Sequence, residues 1–376
     1  MIESADVLRK HGKDYFRLYK DKIPQNHLKV INDILICRRK ENGGRTYYCK
    51  QCNRFVYSYH SCGNRNCNKC QNELADLWLE KSRERLLDVH HFLVTFTLPE
   101  TLRTSCRSDQ KLFYNLLFKS SAESLQHIAY DTKYAGGKLG MIAVLHTWAR
   151  NLCYHPHVHF IVTGGAFFED ENTWLPAKDD FLVPVKALSK IIKAKFRDAL
   201  KHENETLFKT IPYNVWTNNW VVHSQAVGSG EQALSYLARY IFRPAISNNN
   251  ILSMENGKVR FRCKNSETKQ WQFIELPAVE FIRRYLQHVL PKGFVKVRYY
   301  GLYALAYRKK LKKFPVQPFM KTAPKTKNSK KHCCPKCQKP LILIEEFEKM
   351  CFYKNGPPKR EILVRAMVNK INSLDF

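Results

Sequence analysis

The clearest hydrophobic pattern in the chain is an alternation along residues 155–165. Val158, Phe160 and Val162 would point to one face of a strand, and His157 and His159 to the other. The two histidines would lie about 6.6 Å apart along the strand, so both imidazoles can reach one cation. Similar alternation or β-branched content predicts further strands over residues 91–98, 141–148, 216–223, 258–276 (two strands) and 295–300.

Apolar residues at helical spacing predict helices over residues 1–36, 73–87, 108–130, 186–201, 230–243 and 278–290. The helix after Ser229 has clear boundary signals, because Ser229 and Gln232 form a capping-box pattern and Pro244 ends it. Its apolar residues cluster on one face, whereas Tyr236 and Tyr240 fall on the opposite face, one turn apart. Core packing does not need these two phenols there, so they are candidates for chemistry.

The net charge limits the classes of function. The 376 residues carry 63 Lys and Arg against 33 Asp and Glu, a formal charge of +30. This excess speaks against an ordinary metabolic enzyme and indicates a polyanionic partner, with nucleic acid first and an anionic membrane surface second. The sequence has no run of 18 apolar residues and no signal peptide, so we expect a cytoplasmic protein without a membrane span.

The 13 cysteines are concentrated near the N-terminus, where six fall within residues 37–70. Their odd number, the Cys-x-x-Cys pairs and the missing secretion signal indicate metal-bound thiolates rather than disulfides. We expect Cys49 and Cys52 to share one structural Zn²⁺ with Cys67 and Cys70 in a zinc ribbon.

Other potential zinc ligands are left without an assigned site. Cys37, Cys62 and His60 could hold a second zinc ion or be ordinary buried residues. After residue 307 the sequence becomes a basic linker, and beyond it Cys334 and Cys337 form half of a zinc knuckle without a clear partner pair.

The histidine strand and the tyrosine helix together suggest phosphodiester chemistry. A cation held by imidazoles can polarise a phosphodiester oxygen, and a tyrosine oxygen can attack the phosphorus. The phosphotyrosine conserves the bond energy for rejoining, and a second tyrosine allows a second strand transfer before the first end is released. The strand at 141–148 turns back into the histidine strand, which would set His146 beside His157 or His159.

In these motifs the chain resembles the HUH single-strand endonucleases, and most closely the rolling-circle transposases of insertion sequences of the IS91 type. The resemblance is carried by residues 92–99, 155–159 and 236–240 and by the cysteine module at 37–70. It implies an α+β fold: an HUH-type antiparallel sheet with helices on one side, plus an N-terminal zinc-ribbon-like module. We expect DNA recognition in residues 1–88, the endonuclease in 89–307 and a basic C-terminal segment in 308–376.

The resemblance also implies a reaction. The enzyme would use Mg²⁺ or Mn²⁺ to nick single-stranded DNA at the ends of its element, leaving a 5′-phosphotyrosine and a free 3′-hydroxyl. Tyr236 and Tyr240 would be the nucleophiles. Four basic residues are candidates for DNA contact, namely Arg239 and Arg243 on the tyrosine helix and Arg65 and Lys69 in the cysteine module. Bound to DNA, the protein would be associated with the nucleoid.

The catalytic cation would be held by histidines. His157 and His159 are the implied ligands, and His146 is the expected third ligand, with Gln232 as the alternative. His155 would contact the ligands rather than the cation.

Three other functions are compatible with the same residues. A plasmid replication initiator or relaxase would use the same chemistry in another role. A zinc-dependent DNA-binding regulator would need neither the histidine nor the tyrosine motif, and an inactive transposase relic would retain both. DNA cleavage and a covalent adduct would distinguish the regulator from the enzymes.

Overall fold

The computed structural model describes residues 1–71, 86–241, 244–265, 268–307 and 332–349, and also residues 75, 78, 79 and 82. For residues 231, 237, 239 and 240 only the backbone is described. Most of the helix predicted at 73–87, the basic linker and Arg243 lie outside these ranges.

The helices follow the apolar periodicity and its capping signals. The Asp109 side chain accepts a hydrogen bond from the Leu112 N–H at 3.0 Å and so caps the N-terminus of a 20-residue helix. Pro24 precedes another helix start, so residues 1–36 form two helices rather than one. The helices are α1 (Ser4–Tyr19), α2 (Gln25–Ile36), α3 (Arg103–Ser108), α4 (Gln110–Ala129), α5 (Val185–Glu203), α6 (Glu205–Lys209), α7 (Asn214–Thr217), α8 (Gly230–Ile241) and α9 (Ala278–Leu286). In the described part of the chain, no helix has the length and apolar character needed to cross a bilayer.

The strands form antiparallel sheets. They are β1 (Gly44–Cys49), β2 (Arg54–Tyr59), β3 (His91–Thr97), β4 (Gly140–Trp148), β5 (Tyr154–Thr163), β6 (Gly165–Phe168), β7 (Thr173–Pro176), β8 (Val222–Gly228), β9 (Ile251–Glu255), β10 (Lys258–Lys264), β11 (Trp271–Pro277), β12 (Val297–Gly301) and β13 (Ile342–Phe347). The largest sheet has the order β12–β4–β5–β3–β8, with every neighbouring pair antiparallel. Together with the helices, these sheets confirm the expected α+β class.

The two faces of the large sheet carry different helices. On one face, Val158, Phe160 and Val162 of β5 pack with α4 and α5 in the main hydrophobic core. On the other face, Ile161 packs with Leu234 of α8. The prediction of helices on one side is therefore correct for the two longest helices and wrong for α8, whose apolar stripe covers the histidine-bearing face.

A second core joins the N-terminal helices to a distant part of the chain. Helices α1 and α2 pack with β10 and α9, and the rings of Phe261 and Phe281 meet there at 5.8 Å. The buried residues of this core lie between Ala5 and Cys70 and between Ile246 and Val289, together with Leu152. The predicted domain boundary at residue 88 stays a prediction, and hydrophobic packing crosses it.

Another sheet pairs strands from the N-terminal and the C-terminal parts of the described chain. Its order is β13–β1–β2, with Tyr48 opposite Ile342 and Gly44 opposite Phe347. Glycine suits position 44, because a β-carbon there would lie 2.7 Å from the Ser58 carbonyl oxygen.

The strand predicted at residues 216–223 is wrong over most of its length. Trp216 lies in α7, and Trp220 is buried in the main core, where its indole N–H donates to the Val215 carbonyl. The two tryptophans fix this segment against α5, so the strand begins only at Val222.

Candidate metal centre and tyrosine helix

The register of β4 and β5 brings three imidazoles together. His146 lies directly opposite His157, and His159 lies opposite Val144 on the same face. The ring centroids are 5.5 Å apart for His146 and His157, 5.0 Å for His146 and His159, and 4.7 Å for His157 and His159. One nitrogen of each ring lies within 4.8 Å of those of the other two, so all three can face one point.

Hydrogen bonds orient two of these rings. Nδ1 of His157 lies 2.7 Å from the His155 carbonyl oxygen, which can only accept. The proton of neutral His157 is therefore on Nδ1, and Nε2 has the lone pair that a metal requires. Nδ1 of His159 lies 2.9 Å from Oγ1 of Thr95, which stands directly opposite on β3.

Burial keeps two of these imidazoles neutral. Desolvation lowers the pKa of His157 to about 4 and that of His159 well below its usual value. Neutral imidazole is the form that binds metals, so the rings of His157 and His159 can bind a divalent cation without first losing protons. Gln232, the alternative third ligand, is exposed, and its amide lies against Gly228.

His155 stands beside the cluster and contacts a different group. Its Nδ1 accepts a hydrogen bond from the Arg103 guanidinium at 2.8 Å. Burial, and then the Arg103 charge, lower the pKa of His155. The contact places a permanent cation beside His155, whose ring centroid lies 5.1 Å from that of His157, and the same guanidinium pairs with Glu100 at 2.8 Å.

The tyrosine helix crosses the same face of the sheet and is anchored at both sides. Near β8, the Gln225 amide donates to the Tyr236 phenol oxygen at 3.1 Å. At its C-terminal end, the Ile241 carbonyl accepts a hydrogen bond from Lys296 Nζ at 2.9 Å. Lys296 also lies 5.0 Å from the Trp148 ring centroid, and Trp148 stacks on the ring of His146 at 4.6 Å.

These contacts give the direction of α8 over the sheet. The helix starts beside β8 and ends at the β4 side, where His146 lies. Position 240 is next to Ile241 and one turn beyond Tyr236, so its backbone lies toward the β4 end.

The N-terminal cysteines belong to two sites. Cys37, Cys62, Cys67 and Cys70 form one cluster, with Sγ–Sγ distances of 3.5 Å for Cys37–Cys70 and Cys37–Cys67 and 3.6 Å for Cys62–Cys70. A second cluster consists of Cys49, Cys52, Cys334 and Cys337.

The prediction that the two N-terminal Cys-x-x-Cys pairs share one zinc ion is therefore wrong. Cys49 and Cys52 lie at the turn between β1 and β2, whereas Cys67 and Cys70 face Cys37 at the end of α2. Cys37 and Cys62, which the sequence left without an assignment, complete the first cluster. His60 lies outside it, with Nε2 3.7 Å from a Glu346 carboxylate oxygen.

Two family models match the chain. The one described as "Putative transposase" matches residues 140–311, and the one described as "Transposase zinc-binding domain" matches residues 7–98. A protein from Sinorhizobium fredii named "Putative transposase y4qJ" is 37% identical over 324 residues, covering 81% of each chain. The chain belongs to the IS91 family of transposases.

A second relative of this transposase comes from Pseudomonas savastanoi pv. phaseolicola. It is named "Transposase for insertion sequence element IS801" and is 27% identical over 299 residues, which cover 74% of this chain and 70% of the relative. No solved structure gives a significant match. The zinc-binding family and the two cysteine clusters together support structural zinc in the transposase.

Two of the predicted DNA contacts of the transposase are engaged within the protein. An Arg65 guanidinium nitrogen donates to the Phe294 carbonyl at 2.9 Å, and Lys69 Nζ lies 2.6 Å from a Glu3 carboxylate oxygen. The side chains of Arg239 and Tyr240, and the whole of Arg243, lie outside the described residues. All four basic residues stay predicted DNA contacts.

Sequence reasoning missed the residues that orient the histidines and the tyrosine helix. Thr95 had a usable signal, since it is a polar residue between the apolar residues Val94 and Phe96 of a strand that leads to Pro99. Gln225 and Lys296 had none, because their contacts depend on how β8 and β12 pair with the sheet.

Proposed function

We propose that this transposase nicks single-stranded DNA at the ends of its element and attaches one end covalently to a tyrosine. One observation carries the proposal: the three-imidazole cluster and the tyrosine helix share one face of the five-stranded sheet. If the two motifs lay on opposite faces of the sheet, they could not act on the same phosphate.

Each side chain has a task in this reaction. A divalent cation bound by His146, His157 and His159 would polarise a phosphodiester oxygen. The Arg103 guanidinium beside His155 adds positive charge for a phosphate to approach. The net charge of +30 favours DNA binding whatever its base sequence, so binding would rest mainly on basic residues outside the metal site.

The covalent step is a transesterification. The phenol oxygen of Tyr236 or Tyr240 loses its proton and attacks phosphorus, and the bond from phosphorus to O3′ breaks. The departing O3′ takes up a proton, so a 5′-phosphotyrosine and a free 3′-hydroxyl replace one phosphodiester. A second tyrosine one turn away gives a second end its own nucleophile.

Tyr240 is our choice for the first nucleophile. The helix backbone at position 240 lies next to Ile241, which Lys296 holds at the β4 side beside Trp148 and His146. Tyr236 instead accepts a hydrogen bond from Gln225 on β8.

The ligand type bears on the choice of cation. Mg²⁺ prefers an oxygen shell with several waters, whereas transition-metal ions accept imidazole nitrogen more readily. Between the two candidate cations, we expect Mn²⁺ to support nicking at a lower concentration than Mg²⁺.

The test uses phenylalanine substitutions that remove only a hydroxyl. The purified protein, Tyr236→Phe, Tyr240→Phe and the double variant are incubated with Mn²⁺ and labelled single-stranded DNA from the element ends. Tyr213→Phe is the matched control, since Tyr213 is 79% exposed and lies on α7's N-terminal side, away from the sheet face. A denaturing gel detects the adduct, and mass spectrometry locates it.

The parent and Tyr213→Phe should form the adduct, and the double variant should form none. Each single variant should still form one if the tyrosines serve different ends, yet fail in complete strand transfer. An adduct in the double variant, or one mapped to a serine or cysteine, would overturn the mechanism. If only one single variant loses the adduct, we expect it to be Tyr240→Phe.

A further inference from the structure

Four cysteines from the two ends of the described chain meet in one cluster. Sγ of Cys49 lies 3.5 Å from Sγ of Cys337, and Sγ of Cys52 lies 3.9 Å from Sγ of Cys334. All four sulfur atoms are within 4.8 Å of one another, although Cys52 and Cys334 are 282 residues apart in sequence.

The distances suit a tetrahedral zinc ion better than disulfides. A Zn–S bond of about 2.3 Å in a tetrahedron separates the sulfurs by about 3.8 Å, whereas a disulfide brings them to about 2.05 Å. The distances in the first cluster, 3.5 to 3.6 Å, lie in the same range.

The backbone presents both cysteine pairs in the same way. Each Cys-x-x-Cys is followed by a residue in the left-handed region, Asn53 with φ 47° and Gln338 with φ 59°. The Gln338 N–H donates to the Cys334 carbonyl at 2.8 Å and closes the second turn. Strand β13 follows this turn and pairs with β1, which ends at Cys49.

We propose that Cys49, Cys52, Cys334 and Cys337 hold a second structural zinc ion, which fastens residues 332–349 to the N-terminal strands β1 and β2. The site is a zinc ribbon whose two halves lie on opposite sides of the catalytic domain in sequence.

The fastening has a consequence for the basic segment of the chain. Residues 308–331 include ten lysines and arginines and no acidic residue. Before this segment, the Tyr307 phenol donates to Glu169 at 2.9 Å, and after it the ring of His332 lies 4.6 Å from that of Tyr47 at an interplanar angle of 37°. The second zinc would therefore fasten the C-terminal end of this basic segment to the ribbon, while the contact between Tyr307 and Glu169 holds the residue before its N-terminal end.

Zinc stoichiometry of the full-length protein tests the proposal. Elemental analysis should find two zinc ions per chain, and Cys334→Ser/Cys337→Ser should retain one. Cys333→Ser is the matched control, because Cys333 is exposed, adjacent in sequence and outside the cluster; it should retain two. One zinc in the parent, or two in the double variant, would overturn the second site.

A measurement on the unaltered protein covers the case in which the double variant fails to fold. Alkylation of the native chain followed by mass mapping should leave the four cluster cysteines protected and label Cys333. Stripping zinc should expose all four to the reagent. Rapid labelling of Cys334 and Cys337 in the zinc-loaded protein, or disulfides among the four, would contradict the proposal.

A second, independent observation concerns the sheet β9–β11. Its inner face packs Val259 and Phe261 into the second core. Its outer face pairs cations with exposed aromatic rings: Arg260 lies 5.1 Å from the Phe273 centroid and Arg262 lies 4.8 Å from the Trp271 centroid. Trp271 is 49% exposed and Phe273 58% exposed, so core packing does not explain either ring.

We infer that this outer face binds the single-stranded DNA that flanks the nicked phosphate. Bases stack on exposed aromatic rings, and arginines pair with phosphates along the strand. Lys264, which lies 5.2 Å from the Trp271 centroid, adds a third cation to the same row. The inference rests on the proposed single-strand activity for its choice of partner.

Binding measurements on a long single-stranded oligonucleotide test this face. Trp271→Ala/Phe273→Ala should weaken binding about tenfold or more while leaving the salt dependence unchanged. Arg260→Gln should instead reduce the salt dependence, and Tyr213→Ala, an exposed tyrosine on another surface, should change neither. Unchanged affinity in the double alanine variant would overturn the inference.

Adduct formation on a short oligonucleotide separates this inference from the proposed function. Parental adduct formation together with unchanged affinity in the Trp271→Ala/Phe273→Ala variant contradicts the binding face alone. A parent protein that forms no adduct contradicts the nicking proposal, whatever the two aromatic residues contribute to binding.

Discussion

At the scale of single residues, the proposed metal site consists of three histidines, and burial keeps His157 and His159 neutral. His146, His157 and His159 are surrounded by sheet and helix, and Thr95 and the His155 carbonyl orient two of the rings. A buried neutral imidazole costs less to place than a buried cation and is ready to bind a metal.

Removing a ligand should abolish the reaction and spare DNA binding. His157→Ala and His159→Ala should each reduce nicking below detection, because two imidazoles hold the cation too weakly. Affinity for single-stranded DNA should stay within about twofold of the parent, since the excess of basic residues provides it. His202→Ala, a histidine whose side chain is 86% exposed, is the control and should nick normally. Parental nicking by either ligand variant would disprove the metal assignment.

A buried histidine outside the site should make stability depend on pH. His91 is fully buried, with Nδ1 2.8 Å from the Val89 carbonyl and Nε2 2.9 Å from the Tyr303 hydroxyl. Desolvation lowers the pKa of His91 to about 4. The unfolded chain takes up this proton near pH 6.5. The contribution of neutral His91 to the free energy of unfolding is therefore fully present above that pH and is lost as pH falls toward 4.

The measurement is the difference in free energy of unfolding between the parent and His91→Gln. It should shrink by about 2 kcal/mol from pH 7 to pH 5, and losses common to both proteins, such as zinc release, cancel. A difference that stays constant with pH would show that the pKa of His91 is the same in the folded and the unfolded chain.

At the scale of elements, α8 is held over the histidines from both sides. Burial lowers the pKa of Lys296 to about 7, and its amino group donates a hydrogen bond to the Ile241 carbonyl at the end of the helix. A cation at this end also interacts favourably with the helix dipole. Gln225 holds the other side through Tyr236.

Lys296→Met should therefore loosen the helix end and slow adduct formation. We expect about 1 kcal/mol less stability and a clear loss of nicking rate at saturating DNA, with affinity nearly unchanged. Lys292→Met, a change at an exposed lysine four residues earlier, should have no effect on either quantity. Equal nicking rates in the two variants would mean that the Lys296 contact does not position the tyrosines.

At the scale of the whole molecule, the first cysteine cluster joins parts of the chain that are distant in sequence. Cys37, Cys67 and Cys70 lie in the same core as α1, α2, β10 and α9. The large sheet has a separate core built on α4 and α5. Zinc in the first cluster should thus stabilise residues 251–286 as well as its own module.

Hydrogen exchange before and after zinc removal checks this coupling. Chelation should raise exchange in α1, α2, β10 and α9 together, while β3 to β5 remain protected. The Cys334→Ser/Cys337→Ser variant is the matched control, since it should keep the first zinc and the protection of α9. Increased exchange confined to residues 37–71 would show that the shared core does not depend on zinc.

The sequence by itself determined the local features. Alternation along residues 155–163 predicted β5 and its histidine face, and the spacing of Tyr236 and Tyr240 predicted one helical turn. These features follow from periods of 2 and 3.6 residues, which neighbouring positions alone define. The charge of +30 likewise indicated a nucleic-acid partner, and this inference needs no knowledge of the fold.

Only the tertiary structure decided which distant residues meet. Cys49 and Cys52 have the same spacing as Cys67 and Cys70, so nothing local showed that their partners lie at 334 and 337. His146 faces His157 because of one strand register, and a shift of one residue would have turned it to the opposite face. The side of the sheet that α8 covers depends on which apolar surface is left after α4 and α5 have packed. Competition among long-range contacts determines such pairings. The periodicity of hydrophobic residues does not show which pairing is the most stable.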